Sequence, residues 1–359
     1  METSGCLVNC GGVPVHITFL HPGTAKYFRG CLMQESDCDA VACAGSEELH
    51  VQCTGDFLEE NRWLVGCQDV PGEILEFHAL MLAAGSRLLA RRRAVFHGAA
   101  FCWRDLAWIL TAPSGTGKTT QLVHWIHTQG RDVRTINGDK PILDCSSEGS
   151  VYVCSSPWRG KERYGHPHMR VELGGIIFLR QGSTNTIRRM EAEEAVPLLF
   201  AEFISSRESA EEIRQQADLL DRVMRTVPVW ELVNVGDEES ALLTQKAIGE
   251  YLQSRQDRKI WHLRQGVTLV TAAGVYLLAA DRSAQRACDS VCRINETGAL
   301  IWNMLQKGAA LPAIVSAVQQ QYQAADARAV EADVKNFIAA LRRKGYITRD
   351  VIMPERSLY

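Results

Sequence analysis

The stretch Leu106-Ala-Trp-Ile-Leu-Thr-Ala-Pro-Ser-Gly-Thr-Gly-Lys-Thr-Thr120 decides the fold. Its first six residues read as a short buried strand. From Ala112 to Thr119 it fits the Walker A pattern, with Ala112 in place of the usual first glycine. Residues Thr119 to Gln129 read as a helix, with Leu122, Val123, Trp125 and Ile126 apolar and Gly130 as its C-cap. Strand, loop and helix in this order place an anion at a helix N-terminus. The glycines let successive N–H groups wrap around it. Ser114, Gly115, Thr116, Gly117, Lys118, Thr119 and Thr120 are therefore the candidate nucleotide-binding residues. Lys118 supplies charge to the β- and γ-phosphates of ATP or another nucleoside triphosphate, and Thr119 a hydroxyl for Mg²⁺.

The rest of the chain sets this loop in a mixed α/β context. Residues 1–70 alternate in short apolar stretches broken by Gly and Pro, such as Val13-Pro-Val-His-Ile-Thr-Phe19, and predict a small β-rich lobe. A P-loop domain is expected over 71–253. Glu73 to Arg92 is a helix in this reading. Val151–Cys154, Gly175–Leu179 and Val227–Val233 are strands. Helices are expected at 192–205, 209–225 and 238–252. Ser254-Arg-Gln-Asp-Arg-Lys259 reads as a polar linker. Beyond it, Val267–Val270 and Gly274–Leu278 predict a hairpin, followed by three helices. The third helix carries the stripe Val330, Val334, Phe337, Ile338, Leu341.

Composition bounds the function. The chain has 359 residues, 46% hydrophobic and 23% charged, room for two or three domains. It has neither an apolar run of bilayer length nor a signal-peptide pattern, so no membrane association and a cytoplasmic protein are expected. A net charge of −3 gives no footing for bulk nucleic-acid binding. Arg91-Arg92-Arg93 suits a solvated helix end. The 12 cysteines show no zinc-site spacing and are expected as free, mostly buried thiols.

Several short motifs, in order, resemble the HPr kinase family and especially its smaller bacterial relatives. They are Phe96-His97-Gly98, Ile136-Asn-Gly-Asp139, Ser156-Pro-Trp-Arg-Gly-Lys-Glu162, Gly174-Gly-Ile-Ile-Phe-Leu179 and Val227-Pro-Val-Trp-Glu-Leu232. The resemblance spans Ala94 to Leu252. It implies phosphoryl transfer from a nucleotide, with Mg²⁺, to a serine hydroxyl on a protein or peptide, and assembly as a homo-oligomer. Asp139 is then the proton acceptor or a metal ligand, and His97 lies near the transferred phosphate. Glu172 is implied as a further metal ligand beside Thr119 and Asp139. Lys161, Arg163 and Arg170 are candidates to neutralise charge. His166-Pro-His168 has the look of a metal pair but does not complete a site. The family typically has paired acids where this chain has Asp139-Lys140, which puts reverse, phosphate-driven dephosphorylation in doubt.

Residues 260–353 resemble the PqqD family through Asn295-Glu-Thr-Gly298, Ile301-Trp302, Leu305, Gly308, Tyr322, Asp333-Val334, Phe337-Ile338, Leu341 and Gly345. This implies a winged-helix-like α+β domain that holds the leader of a ribosomally made precursor peptide. The leader would add as a strand to a sheet edge near Gly274–Ala279, against the helix Ala327–Arg343. Residues 281–293 are longer than usual, so the sheet-to-helix connection is expected to differ. Residues 260–359 hold 12 Lys+Arg against 8 Asp+Glu, which suits an acidic leader. Together the halves point to a leader-guided peptide Ser/Thr kinase. A regulatory kinase of a carrier protein and a nucleotide-gated peptide chaperone without phosphoryl transfer are the alternatives.

Overall fold

A computed structural model of the chain describes residues 5–33, 48–66, 70–147, 149–160, 164–257, 259–322 and 326–352. Two compact units divide it, residues 1–245 and 246–359.

The first unit opens with β1 (Gly5–Asn9), β2 (Pro14–Thr18) and β3 (Leu49–Gln52). β1 and β2 run antiparallel, and β2 and β3 parallel. A short helix α1 (Gly55–Glu60) is capped by Thr54, whose hydroxyl accepts from Phe57 N–H. Helix α2 (Gly72–Leu89) follows and buries Leu75, Ala79, Leu80, Ala84 and Leu88. Its fully buried Glu76 accepts from Leu20 N, His21 N and Thr24 Oγ, so the carboxylate is satisfied and ties the lobe to the helix. The core beneath this sheet also contains Val95, Ile142, Cys154 and Trp158. Residues 5–33 and 48–66 thus share a core with the segment expected as a separate domain.

The central sheet contains β4 (Arg93–Phe96), β5 (Ala99–Trp103), β6 (Leu106–Thr111), β7 (Arg134–Asn137), β8 (Ile142–Asp144), β9 (Tyr152–Cys154), β10 (Arg170–Gln181), β11 (Thr186–Arg189), β12 (Phe203–Ile204) and β13 (Val229–Asn234). Its order is β12-β4-β8-β9-β10-β6-β5-β7, with β13 and then β11 beside β10. β10 is parallel to β6 and to β13, and its first residues pair antiparallel with β9. Helices α3 (Lys118–Gln129), α4 (Ala192–Ala201) and α5 (Ala210–Thr226) belong to this unit. Helix α6 (Glu238–Asp257) starts here and ends in the second unit. Residues 254–257 of the stretch expected as a polar linker therefore form the last turn of α6, and Lys259 starts a strand. Ser254, Arg255, Gln256 and Asp257 are compatible with continued helix.

In the second unit, β14 (Lys259–Leu263) pairs with β18 (Ile347–Ile352). β15 (Val267–Ala272), β16 (Val275–Ala280) and β17 (Val291–Ile294) form an antiparallel sheet. Ala272 pairs with Val275, and Ala273 and Gly274 both have positive φ, the geometry of a tight two-residue hairpin. Helices α7 (Glu296–Gln306), α8 (Leu311–Tyr322) and α9 (Ala327–Arg343) close a core around Trp302 and Tyr346. Asn295 caps α7 through Gly298 N–H, as expected. The stripe on α9 is inward, with Val330, Val334, Ile338 and Leu341 buried.

One buried carboxylate locks three strands of the first unit. Asp144, 1% exposed, accepts from Ser146 Oγ at 2.6 Å and from Arg170 Nε at 2.9 Å, and Arg93 lies 3.7 Å away. Burial pushes its acidity toward higher pKa. The hydrogen bonds from Ser146, with Arg93 and Arg170, outweigh burial and hold the carboxyl below its ordinary value. A depressed folded-state pKa gives stability that is present at neutral pH and lost as pH falls through the carboxylate range. We expect Asp144→Asn to cost about 3 kcal/mol in urea unfolding at pH 7. The difference from wild type should shrink toward zero once the pH is below the folded pKa of Asp144.

Candidate functional site

The quoted stretch folds as its sequence requires. β6 ends at Thr111, the loop turns through Gly115 and Gly117, and α3 starts at Lys118. Both glycines have positive φ (82° and 100°), and a Cβ on either would meet nothing within 4 Å. The loop is therefore a cradle with open space beside it. Ser114, Gly115 and Thr120 are exposed, and Thr116, Gly117 and Thr119 half-buried. Lys118 is buried, and its Nζ donates to the carbonyls of Ala112 at 2.8 Å and Pro113 at 3.2 Å. Burial pulls the lysine below its ordinary value. Lys140 lowers it further, whereas Glu202 and Asp139 oppose the shift.

Asp139 reaches this place through a chain of hydrogen bonds. Asn137, at the end of β7, accepts the N–H of Asp139 at 2.9 Å and of Lys140 at 2.8 Å with its side-chain oxygen. Its Nδ2 donates to Ser156 Oγ at 2.9 Å. The Ser156 hydroxyl donates to Lys140 O and accepts Trp158 N–H. Trp158 is buried against Phe28, with its Nε1 bonded to Phe77 O. The Ser156-Pro-Trp motif is thereby a brace for the Asp139 turn. On the far side, Asp139 O accepts Gly98 N–H at 2.8 Å, which joins the turn to the Phe96-His97-Gly98 motif.

His97 bridges two acids. Its Nε2 lies 3.6 Å from Asp139 Oδ1, and its Nδ1 lies 2.7 Å from Glu202 Oε2. Glu202 is buried, and its backbone carbonyl also accepts His97 N–H. Lys140 Nζ donates to Asp139 Oδ1 at 2.8 Å. The residue in the place of the expected second acid is thus a cation bonded to the first. His78, on α2, also faces this pair. Burial lowers its pKa, with Lys140 adding to the shift and Asp139 opposing it.

Of the residues expected in the site, Lys118, Asp139 and His97 come together. Glu172 does not. It precedes Leu173, which pairs with Ala107 at the start of β6, and the P-loop opens at the other end of that strand. A Glu172 oxygen accepts from Ser150 Oγ at 3.4 Å. Arg170 is committed elsewhere, to Asp144 and to the Tyr152 ring at 3.5 Å. His166 and His168 are exposed, and neither belongs to a set of three metal-ligating side chains among the described residues. Lys161 and Arg163 lie outside the described residues. Sequence reasoning missed Glu202 and His78, which belong to no local motif. The nine described cysteines are free, as expected. Thr119 and Asp139 offer the hard oxygen donors that Mg²⁺ takes.

Comparison with known proteins adds a family match for part of the chain. Residues 276–347 match the family described as Coenzyme PQQ synthesis protein D (PqqD). This stretch forms a PqqD-like domain. Solved structures similar to the chain include TbiB1 in complex with the TbiA(beta) leader peptide, at 22% identity and a TM-score of 0.21, covering 24% of this chain and 92% of that one. They also include the HPr(Ser) kinase/phosphatase from Coxiella burnetii, at 9% identity and a TM-score of 0.28, covering 44% of this chain and 97% of that one. No curated protein sequence matches the chain. Among the described residues, no helix is long and apolar enough to cross a membrane.

The sheet of the PqqD-like domain corrects one expectation. β16, which contains most of the expected docking edge at Gly274–Ala279, is the middle strand and pairs on both sides. Among the described residues, the edges of this sheet are β15 and β17. The long connection after Asp281 contains β17, which adds a strand to the hairpin. The segment before β17 lies against the end of α9, with Lys344 Nζ 3.0 Å from Asp289 and Tyr346 Oη bonded to Asp289 O.

The Glu202 contact makes a specific prediction. In the neutral ring it places the imidazole proton on Nδ1 and turns the Nε2 lone pair toward Asp139. Two-bond ¹H–¹⁵N spectra should find His97 as the Nδ1–H tautomer. In Glu202→Ala they should show a mixture or the opposite tautomer. An unchanged tautomer in the variant would mean that Glu202 does not orient the ring.

Proposed function

We propose that this chain is a leader-guided kinase that transfers the γ-phosphate of ATP, or of another nucleoside triphosphate, to a Ser or Thr hydroxyl of a ribosomally made precursor peptide. The observation that carries this reading is the convergence of the P-loop lysine with the Glu202–His97–Asp139 array. It is supported by the PqqD-like domain in the same chain and by the order of motifs that resemble the HPr kinase family.

In this reading the loop N–H groups and Lys118 hold the phosphates. Lys118 exchanges its bonds to the Ala112 and Pro113 carbonyls for phosphate oxygens. Mg²⁺ held by Thr119 would supply charge neutralisation at the β- and γ-phosphates. The peptide hydroxyl oxygen bonds to the γ-phosphorus as the bond to the bridging oxygen breaks and the nucleoside diphosphate leaves. The hydroxyl proton passes to Asp139, whose backbone Asn137 and Gly98 hold in place. Lys140 adds a fixed positive charge beside the acceptor.

The leader belongs, in this reading, on the edge of β17, because the segment before that strand lies against the end of α9. Backbone pairing there supplies affinity, with the exposed Val291 offering an apolar contact. Holding the leader raises the effective concentration of the peptide core at the phosphate.

A second reading, a nucleotide-gated peptide chaperone, draws on the Lys140–Asp139 pair, which engages the candidate proton acceptor. One experiment separates the two. A precursor peptide from a neighbouring locus is incubated with the protein, ATP and Mg²⁺ and analysed by mass spectrometry. We expect one added phosphate, lowered at least about a hundredfold in Asp139→Asn. Synthetic leader peptide added in excess should inhibit competitively. An unmodified peptide that still binds with nucleotide-dependent affinity would overturn the kinase in favour of the chaperone.

A further inference from the structure

The N-terminal sheet carries a set of side chains that the nucleotide site does not use. β2 and β3 run parallel with His16 directly opposite His50. Val15, Ile17 and Val51 enter the core, so alternation sends His16 and His50 to the other face of the sheet. Their rings lie 5.3 Å apart. Glu48, two residues before His50, brings Oε1 to 4.0 Å from His50 Nε2. One ligand atom from each of His16, Glu48 and His50 lies within 4.8 Å of the other two, the one such set among the described residues.

Three further observations bear on a ligand. Gly5 on β1 makes room for the His16 ring, since a Cβ there would stand 3.1 Å from its Cε1. His16 Nδ1 is buried with no hydrogen-bond partner among the described residues, a cost that a native structure normally avoids. Glu48 and His50 are exposed, which leaves solvent a path to the set.

We propose that His16, Glu48 and His50 bind one divalent transition-metal ion, zinc being the ion that the donors suit, with water completing the coordination. Two imidazoles and one carboxylate are borderline donors that favour Zn²⁺ over the all-oxygen preference of Mg²⁺ and Ca²⁺. Ligand atoms of a tetrahedral zinc stand roughly 3.3 Å apart. The set closes to that spacing by rotation of the exposed His50 and Glu48 side chains. The ion would clasp a parallel strand pair whose connection runs through residues 19–48, a long closure that a cross-link stabilises. The site shares no residue with the P-loop array.

The test uses the full chain, free of any histidine tag and stripped of metal by chelation, titrated with ZnCl₂ alone. We expect one zinc per chain that His16→Gln and His50→Gln each weaken at least about tenfold. We also expect a zinc-dependent rise in melting temperature that both variants lose and Asp139→Asn keeps. Cobalt(II) substitution should give the intense visible bands of a low-coordinate site. His50 is exposed, so its variant folds and decides the matter if His16→Gln does not fold. Absence of zinc binding in wild type, or binding and stabilisation unchanged in His50→Gln, would overturn the proposal.

Discussion

The side-chain amide of Asn137 is the constraint on which the candidate site depends. It is fully buried, so both its ends must be satisfied inside the protein. The oxygen gathers the N–H groups of Asp139 and Lys140, and the nitrogen holds Ser156. This side-chain turn sets the direction in which the two charged residues leave the end of β7. An aliphatic residue at this position would strand those groups, at about 1–3 kcal/mol for each one buried. Aspartate would accept the two N–H groups but could not donate to Ser156. The hub is also why the Ser156-Pro-Trp motif matters at a distance. Trp158 fixes the brace to the core, and the brace fixes the turn.

Much of this was legible in the sequence because the P-loop is a local object. Strand, glycines, lysine and helix are contiguous, and the φ values at Gly115 and Gly117 follow from residue type. Asp139 was singled out through the resemblance of the Ile136-Asn-Gly-Asp139 motif. Glu202 was not. It lies 105 residues from His97 and reaches it only because β12 pairs with β4. Glu172 failed for the converse reason. Its motif is correct as a strand, but β10 is 12 residues long, and pairing with β9 fixes which end the glutamate occupies.

The same division runs through the rest of the fold. Helix positions, caps and inward stripes are encoded within one or two turns, and Asn295, Gly130 and the α9 stripe lie where local chemistry puts them. Sheet edges are not encoded locally. The residues of β16 read as a strand, but nothing within them says that β17 will cover one side. Domain boundaries behave likewise. Composition marks residues 1–70 as different, but Trp158, Ile142 and Cys154 arrive from far along the chain to complete their core.

The exchange of a second acid for Lys140 changes what the remaining carboxylate can do. Oδ1 of Asp139 is taken by Lys140, with His97 behind it. Oδ2 is then the oxygen left to face a reacting hydroxyl or a metal ion. Gly160, with φ of 76°, stands next to it, and a Cβ at that position would lie 3.0 Å from Asp139 Cβ and 3.6 Å from Oδ2. The lack of a side chain thus keeps one face of the carboxylate open while the lysine closes the other. A pair of acids at this turn would need added cations to lie close together. One acid with its own ammonium does not, and it leaves Oδ2 on the side of Gly160. Under the proposed kinase reading, one carboxylate oxygen is then left to take the hydroxyl proton.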